Sequence, residues 1–311
     1  MISFREFLER IRPAVNRRIE EVAACEGVID PGALPLLLRG KRLRAGLLLR
    51  IHAGLTRATA PTRQALDLAC AVELAHAASL ILDDMLDGDT VRRGVPSLHL
   101  TRGEGRALLD AVGILALPYA LAAPYGAGYV TMLASTQQSM ARGVAWEMLE
   151  GSGLPAAERY DAIITQKTGC LFSLAAAWGA MAAGGDDAIV AVFADYGLSA
   201  GKAMQIADDI TDLHALAAGS RGCRPGSEAL LLRCISPGKN GADQALASML
   251  DAEIARTAAR IRDGGRQQVP PEEQEAFGQV VRDIVGLTIA GGTPHDGASF
   301  RVACPDGLPQ R

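Results

Sequence analysis

Asp83, Asp84 and Asp87 lie in one long apolar run, and Asp208, Asp209 and Asp212 lie in another far down the chain. Carboxylates at i, i+1 and i+4 of a helix crowd onto one face and repel each other. Only water or a cation offsets that repulsion. Two such faces from separate helices suit magnesium, a hard ion that takes oxygen ligands and shares them with substrate phosphates. The chemistry implied is that of a diphosphate.

Other residues share those faces. Before the first cluster, Leu66, Cys70, Leu74, Ala77 and Ile81 recur at helical spacing and predict a buried stripe. A second stripe, Glu73, His76, Leu80, Asp83 and Asp87, puts a histidine below the aspartates. Gln205 precedes Asp208, Asp209 and Asp212 by three, four and seven positions and shares the second acidic face. Lys167 stands in an otherwise apolar row with Ile164, Leu171, Leu174 and Trp178. Either its stem snorkels to the surface or its ammonium looks into a cavity that takes an anion. Two basic clusters remain, Arg39-Gly40-Lys41-Arg42-Leu43-Arg44 and Arg92-Arg93-Gly94. Alone, each reads as a solvated face. Beside a carboxylate–magnesium site, their guanidinium forks and lysine charge become the other half of a diphosphate clamp.

Helices must carry these groups. Hydrophobic residues make up 49% of the 311-residue chain and aromatics only 4%, a composition suited to close-packed helices rather than a β-sandwich. Periodicity predicts helices near 3–25, 41–57, 61–89, 106–122, 127–150, 156–183, 186–217, 240–264 and 271–288, with Pro61 in the first turn of the third and no strand. The expectation is one all-α domain over 1–290 and a mobile tail from 291 to 311, rich in Gly, Pro, Asp and Ser. A net charge of −4 argues against nucleic acid. Six cysteines without metal or C-x-x-C spacing fit a reducing, cytoplasmic setting. No uninterrupted apolar stretch of about 18 residues predicts a membrane span.

Over roughly residues 30–260 the chain resembles the trans-isoprenyl diphosphate synthases. The matching pieces are GKRLR at 40–44, ELAHAASLILDDMLDGDTVRRGVPSLH at 73–99, KTG at 167–169 and GKAMQIADDITD at 201–212. The wording HAASLILDDM looks most like bacterial geranylgeranyl diphosphate synthases. The resemblance implies an all-α orthogonal bundle around a deep central cavity, the isoprenoid synthase fold, in a homodimer. It implies that Asp83, Asp84, Asp87, Asp208, Asp209 and Asp212 bind three magnesium ions with an allylic diphosphate (dimethylallyl, geranyl or farnesyl). Arg92, Lys167, Thr168 and Gln205 would hold that substrate, and Lys41, Arg44, His76 and Arg93 would hold isopentenyl diphosphate.

Ala78 and Ser79, five and four positions before Asp83, stand where a bulky aromatic in the family closes the pocket at farnesyl length. Their smallness favours geranylgeranyl diphosphate. The chain departs from the family elsewhere. Gly226-Ser227-Glu228-Ala229-Leu230 replaces a G-K-S/T-T-L segment, leaving Arg221 or Arg224 as substitutes for its lysine. Val144 stands where a polar residue is usual, Met204 replaces a common Phe, and Lys202 is expected to be exposed. These departures keep two alternatives open: another ionisation-initiated reaction such as cyclisation, or a non-catalytic synthase subunit.

Overall fold

The computed structural model describes residues 2–26, 32–148, 156–217, 239–265 and 268–291. Its helices are α1 (Phe4–Glu26), α2 (Leu34–Leu38), α3 (Leu43–Thr56), α4 (Arg63–Asp87), α5 (Leu98–Arg102), α6 (Glu104–Ala122), α7 (Ala127–Met148), α8 (Ala156–Ile164), α9 (Cys170–Ala182), α10 (Asp187–Ala217), α11 (Lys239–Gly264) and α12 (Pro271–Gly291). A short two-stranded ladder, β1 (Val91–Arg92) with β2 (Val95–Pro96), follows α4. The tail expected from 291 lies, Gly291 excepted, outside the described residues, as do Arg221, Arg224 and the segment 226–230.

Local chemistry sets several boundaries. Pro61 falls before the helix rather than inside it, because Thr62 is the N-cap and its hydroxyl accepts from the Ala65 N–H at 3.2 Å. The stretch 156–183, expected as one helix, is interrupted by a π-helical turn at Thr165–Gly169 that joins α8 to α9. The absence of strands also needs correction. Arg93 and Gly94 sit at φ 54° and 73°, a pair of left-handed residues that closes the two-residue hairpin between β1 and β2.

The centre of the bundle is α9, packed against α3, α4, α7 and α10. Backbones approach closely there. A Cβ on Gly179 would lie 2.6 Å from the Leu48 carbonyl oxygen, and one on Gly197 would lie 2.5 Å from that of Phe172. Around these contacts Leu47, Leu48, Phe172, Trp178 and Tyr196 are fully buried. An alanine- and glycine-rich sequence is what such spacing demands.

Buried charge fixes the ends of this core. Arg42, at φ 61° just before α3, donates to Glu73 at 3.1 Å, to Asn16 and to the Leu37 carbonyl. The other Glu73 oxygen accepts from the Ala45 N–H at 3.1 Å. One ion pair thus ties α1, α2, α3 and α4. Lys202, expected to be exposed, is buried between Asp161 at 2.6 Å and Glu253 at 2.8 Å. The correction has a plain cause: α8 and α11 both cover α10 and bring carboxylates to it.

Helices α4 and the Glu104–Tyr125 stretch are long and apolar enough to cross a membrane by length and composition. For α4 that window is 72% buried inside the protein, as befits a core helix. The α6 stretch is 44% buried and leaves Leu108, Leu109 and Val112 exposed.

Glu73→Ala is expected to cost about 3–5 kcal/mol in denaturant unfolding, because it strands the Arg42 charge in the interior. A loss below about 1 kcal/mol would show that the strut contributes little.

Candidate active site

The first acidic cluster ends α4. Asp83 and Asp87, one turn apart, are half-buried on the same face. Burial pushes the Asp83 carboxyl up to about 6, with Asp87 and Glu147 adding to the rise and Lys167 opposing it. Asp84 points elsewhere. It is buried, accepts from Arg92 Nε at 2.6 Å, and shares that guanidinium with Asp89, also at 2.6 Å. Burial alone would lower the Arg92 pKa, but the two carboxylates hold it above its ordinary value. The expected single face of three aspartates is therefore a pair plus an anchored neighbour, since one residue on a helix is a turn of about 100°.

The π-helical turn supplies the next groups. Lys167 donates to Glu147 of α7 at 2.6 Å and interacts with Asp83 and Asp87. Burial would lower its pKa, and these carboxylates win, so the ammonium is held charged. The ammonium is thus largely buried in an ion pair with α7 rather than reaching bulk water. The π-turn comes within touching distance of α7: a Cβ on Gly143 would meet the Lys167 nitrogen at 2.6 Å. One turn after that glycine, Glu147 reaches the ammonium. Sequence reasoning noted a valine at 144 and missed Glu147, although the i, i+4 step from Gly143 was readable.

Thr168 connects the two acidic faces. Its buried hydroxyl donates to Gln205 Oε1 at 2.7 Å, and Gln205 Nε2 donates to Asp209 Oδ1 at 3.0 Å. The other Asp209 oxygen accepts from Tyr160 of α8 at 2.6 Å. Burial pushes Asp209 up to about 7, opposed by these two donors and reinforced by Asp208 and Asp212. Like Asp84, Asp209 is anchored, while Asp208 is exposed and Asp212 half-buried. Tyr160 was not anticipated; a lone aromatic in a short amphipathic helix carries no signal of its partner.

A cationic pocket adjoins the first face. His76 lies among Arg44, Arg93, Arg92 and Arg42; burial first, then these guanidiniums, drives its pKa well below the usual imidazole range. It is therefore neutral. Burial lowers the Arg44 pKa to about 10, and its guanidinium rests 4.7 Å over the Phe172 ring. Arg93, at the hairpin tip, donates to the Leu36 carbonyl at 2.8 Å and lies against Gly40. Lys41 is lowered by partial burial, and Asp208 opposes that shift. Of the first basic cluster, Arg42 is spent on structure, and the Lys41 ammonium donates to the Leu287 carbonyl of α12 at 3.1 Å. Arg44, Arg92 and Arg93 gather around His76 as a cluster of positive charge suited to an anion.

Ser79 is half-buried with its hydroxyl on the His76 carbonyl at 2.9 Å, whereas Ala78 has no exposed surface. On helix geometry Ser79 shares the Asp83 face and Ala78 is rotated away from it.

Among the described residues, no three His, Cys, Asp or Glu side chains are gathered into a ready metal cage. The donor set nonetheless fits magnesium. Hard oxygen ligands come as i, i+4 carboxylate pairs, and burial raises Asp83 and Asp209 in a manner that a nearby cation would relieve. Magnesium is ordinarily held by one or two carboxylates together with substrate phosphates, so it does not need a cage made by protein alone.

Residues 32–219 match the polyprenyl synthetase family. Over 262 residues the chain is 35% identical to a geranylgeranyl diphosphate synthase of Pseudescherichia vulneris, covering 80% of this chain and 81% of that one. It is also 35% identical over 182 residues to a geranylfarnesyl diphosphate synthase of Aeropyrum pernix, covering 55% and 57%. In fold it is similar to a polyprenyl synthase of Caulobacter crescentus crystallised with calcium and isoprenyl diphosphate, with a TM-score of 0.69 at 22% identity over 90% of this chain and 97% of that one. An all-helical bundle carrying two i, i+4 aspartate pairs and a cluster of guanidiniums thus meets a family match across most of its length, and the chain belongs to the polyprenyl synthetase family, the trans-isoprenyl diphosphate synthases, as a prenyltransferase.

Proposed function

We propose that this prenyltransferase adds isopentenyl diphosphate to an allylic diphosphate, that it depends on magnesium, and that its product is geranylgeranyl diphosphate. One observation carries the reading: carboxylates beside Lys167, which would take a diphosphate through magnesium, share Arg92 as a neighbour with guanidiniums gathered around His76, which would take one directly. A cyclase has one diphosphate to hold and no use for the second pocket. A regulatory subunit gains nothing from either.

Asp83, Asp87, Asp208 and Asp212 would hold magnesium ions, three being the number the resemblance implies, while Asp84 and Asp209 fix the two helix faces. When bound, the ions neutralise charge on the departing diphosphate. Arg92, Lys167, Thr168 and Gln205 orient the allylic diphosphate. Lys41, Arg44, Arg93 and His76 hold isopentenyl diphosphate so that its double bond stands near the reacting carbon. Apolar helix faces keep water from that carbon. No side chain in these motifs is an evident base, so the proton released on coupling leaves with the diphosphate.

Ser79 lies four residues, about 6 Å, below Asp83 along α4, where a growing tail would descend. A small side chain there supports a product longer than farnesyl, as does the likeness to a geranylgeranyl diphosphate synthase. The geranylfarnesyl-producing relative keeps one more isoprene unit in play. The exposed leucines and valine of α6 support a homodimer formed on that face, since a monomer leaves such a patch wet.

The deciding assay supplies isopentenyl and farnesyl diphosphates with magnesium. It is expected to yield linear geranylgeranyl diphosphate, and a cyclic product or one formed without isopentenyl diphosphate would overturn the reading. Ser79→Phe should shorten the product towards farnesyl. Ala78→Phe, at a position with no free surface, should mainly lower Tm; the reverse assignment would follow if only Ala78→Phe changed chain length.

Asp83→Asn tests the metal face through stability. Because the folded carboxyl titrates near 6 against 3.8 unexposed to the fold, the folded state binds its proton more readily. That favourable contribution is complete below the unfolded value and is lost as pH rises through about 6. At pH 8 the metal-free Asp83→Asn protein should therefore melt about 2–5 °C higher, yet lose turnover by about a hundredfold or more. A lower Tm or near-normal turnover would contradict the assignment. Leu109→Asp with Val112→Asp should halve the mass measured by light scattering; an unchanged mass would place any dimer contact on another face.

A further inference from the structure

Residues 160 and 161 are adjacent on α8 and both reach α10. Tyr160 is buried in a small apolar cluster with Ile164, Ile206, Leu213 and Leu246, drawn from α8, α10 and α11. Asp161 pairs with Lys202, which also holds Glu253 of α11. The same three helices are thus registered twice, once by packing and once by a buried ion cluster. The Tyr160 phenol ends this arrangement on a carboxylate, donating to Asp209 at 2.6 Å, a charge-assisted bond. Gln205 takes the other Asp209 oxygen and is itself fixed by Thr168.

We propose that Tyr160 is a positioning residue for the acidic face of α10: by pinning Asp209 it turns Asp208 and Asp212, one turn apart, towards the diphosphate-bound ions. Lys202 sets the height of α8 from which Tyr160 acts. The proposal rests on the magnesium–diphosphate reading of the site and extends it to residues outside the aspartate motifs. Geometry favours this over a purely structural tie, because Asp209 has both oxygens committed and its Gln205 partner leads to the Lys167–Thr168 turn. Loss of the phenol leaves the carboxylate tied on one side, to Gln205, and so loosens the acidic face it anchors.

The test is Tyr160→Phe, which keeps the ring. Magnesium is titrated calorimetrically into protein holding inorganic pyrophosphate, and kcat and KM are measured alongside. The expected result is magnesium affinity weaker by about tenfold or more, a lowered kcat, and an unchanged KM for isopentenyl diphosphate, whose pocket is untouched. Asp161→Asn, which loosens α8 from Lys202, should act in the same direction by less. Wild-type magnesium affinity in both variants, with Asp212→Asn abolishing it, would overturn the positioning role alone. A lowered Tm without change in affinity would reduce Tyr160 to a core strut. Unchanged affinity in Asp212→Asn as well would defeat the metal reading, and the role of Tyr160 with it.

Discussion

Like charges held together partly out of water are the constraint from which this molecule is built. Carboxylates on α4 and α10 and guanidiniums from α3 and the hairpin are each gathered where burial penalises them. Asp83 and Asp209 are driven upward, and Arg44 downward. On an isolated helix each like-charged i, i+4 pair would cost about 0.2–0.5 kcal/mol. The fold tolerates both clusters because members of each are tied to an opposite charge or a neutral donor, Asp84 to Arg92 and Asp209 to Tyr160 and Gln205.

Those ties follow one pattern. The middle aspartate of each motif is given up to anchoring, Asp84 to Arg92 and Asp209 to Tyr160 with Gln205. Arg42 is given up to Glu73 and Lys41 to the Leu287 carbonyl, while Arg44 rests over Phe172 beside His76. Between the two acidic faces runs the π-helical turn, whose extra residue brings Lys167 and Thr168 around to successive partners. Such turns recur at functional sites, and here the reason is visible. A regular helix would carry these two side chains to positions about 100° apart on one smooth cylinder, without the close passage of α7 that Gly143 permits.

The stability of the site and its readiness for chemistry pull in opposite directions. A cation beside the raised carboxylates and an anion beside the guanidiniums would each offset a charge that burial penalises. The fold meets the unliganded state with backbone-close helix packing at α3, α9 and α10, where glycines leave no room for side chains. Rigidity there is what lets strain persist at the edge.

Much was legible without coordinates. Helical periodicity, an aliphatic composition and two aspartate motifs with basic partners specify an all-helical bundle and its chemistry, because spacing along one helix fixes which side chains share a face. What spacing cannot specify is what stands opposite. Glu147, Tyr160 and the burial of Lys202 arise where α7, α8 and α11 meet other helices. Local sequence determined the faces; only tertiary packing decided their partners, since a contact between distant segments depends on every helix angle between them.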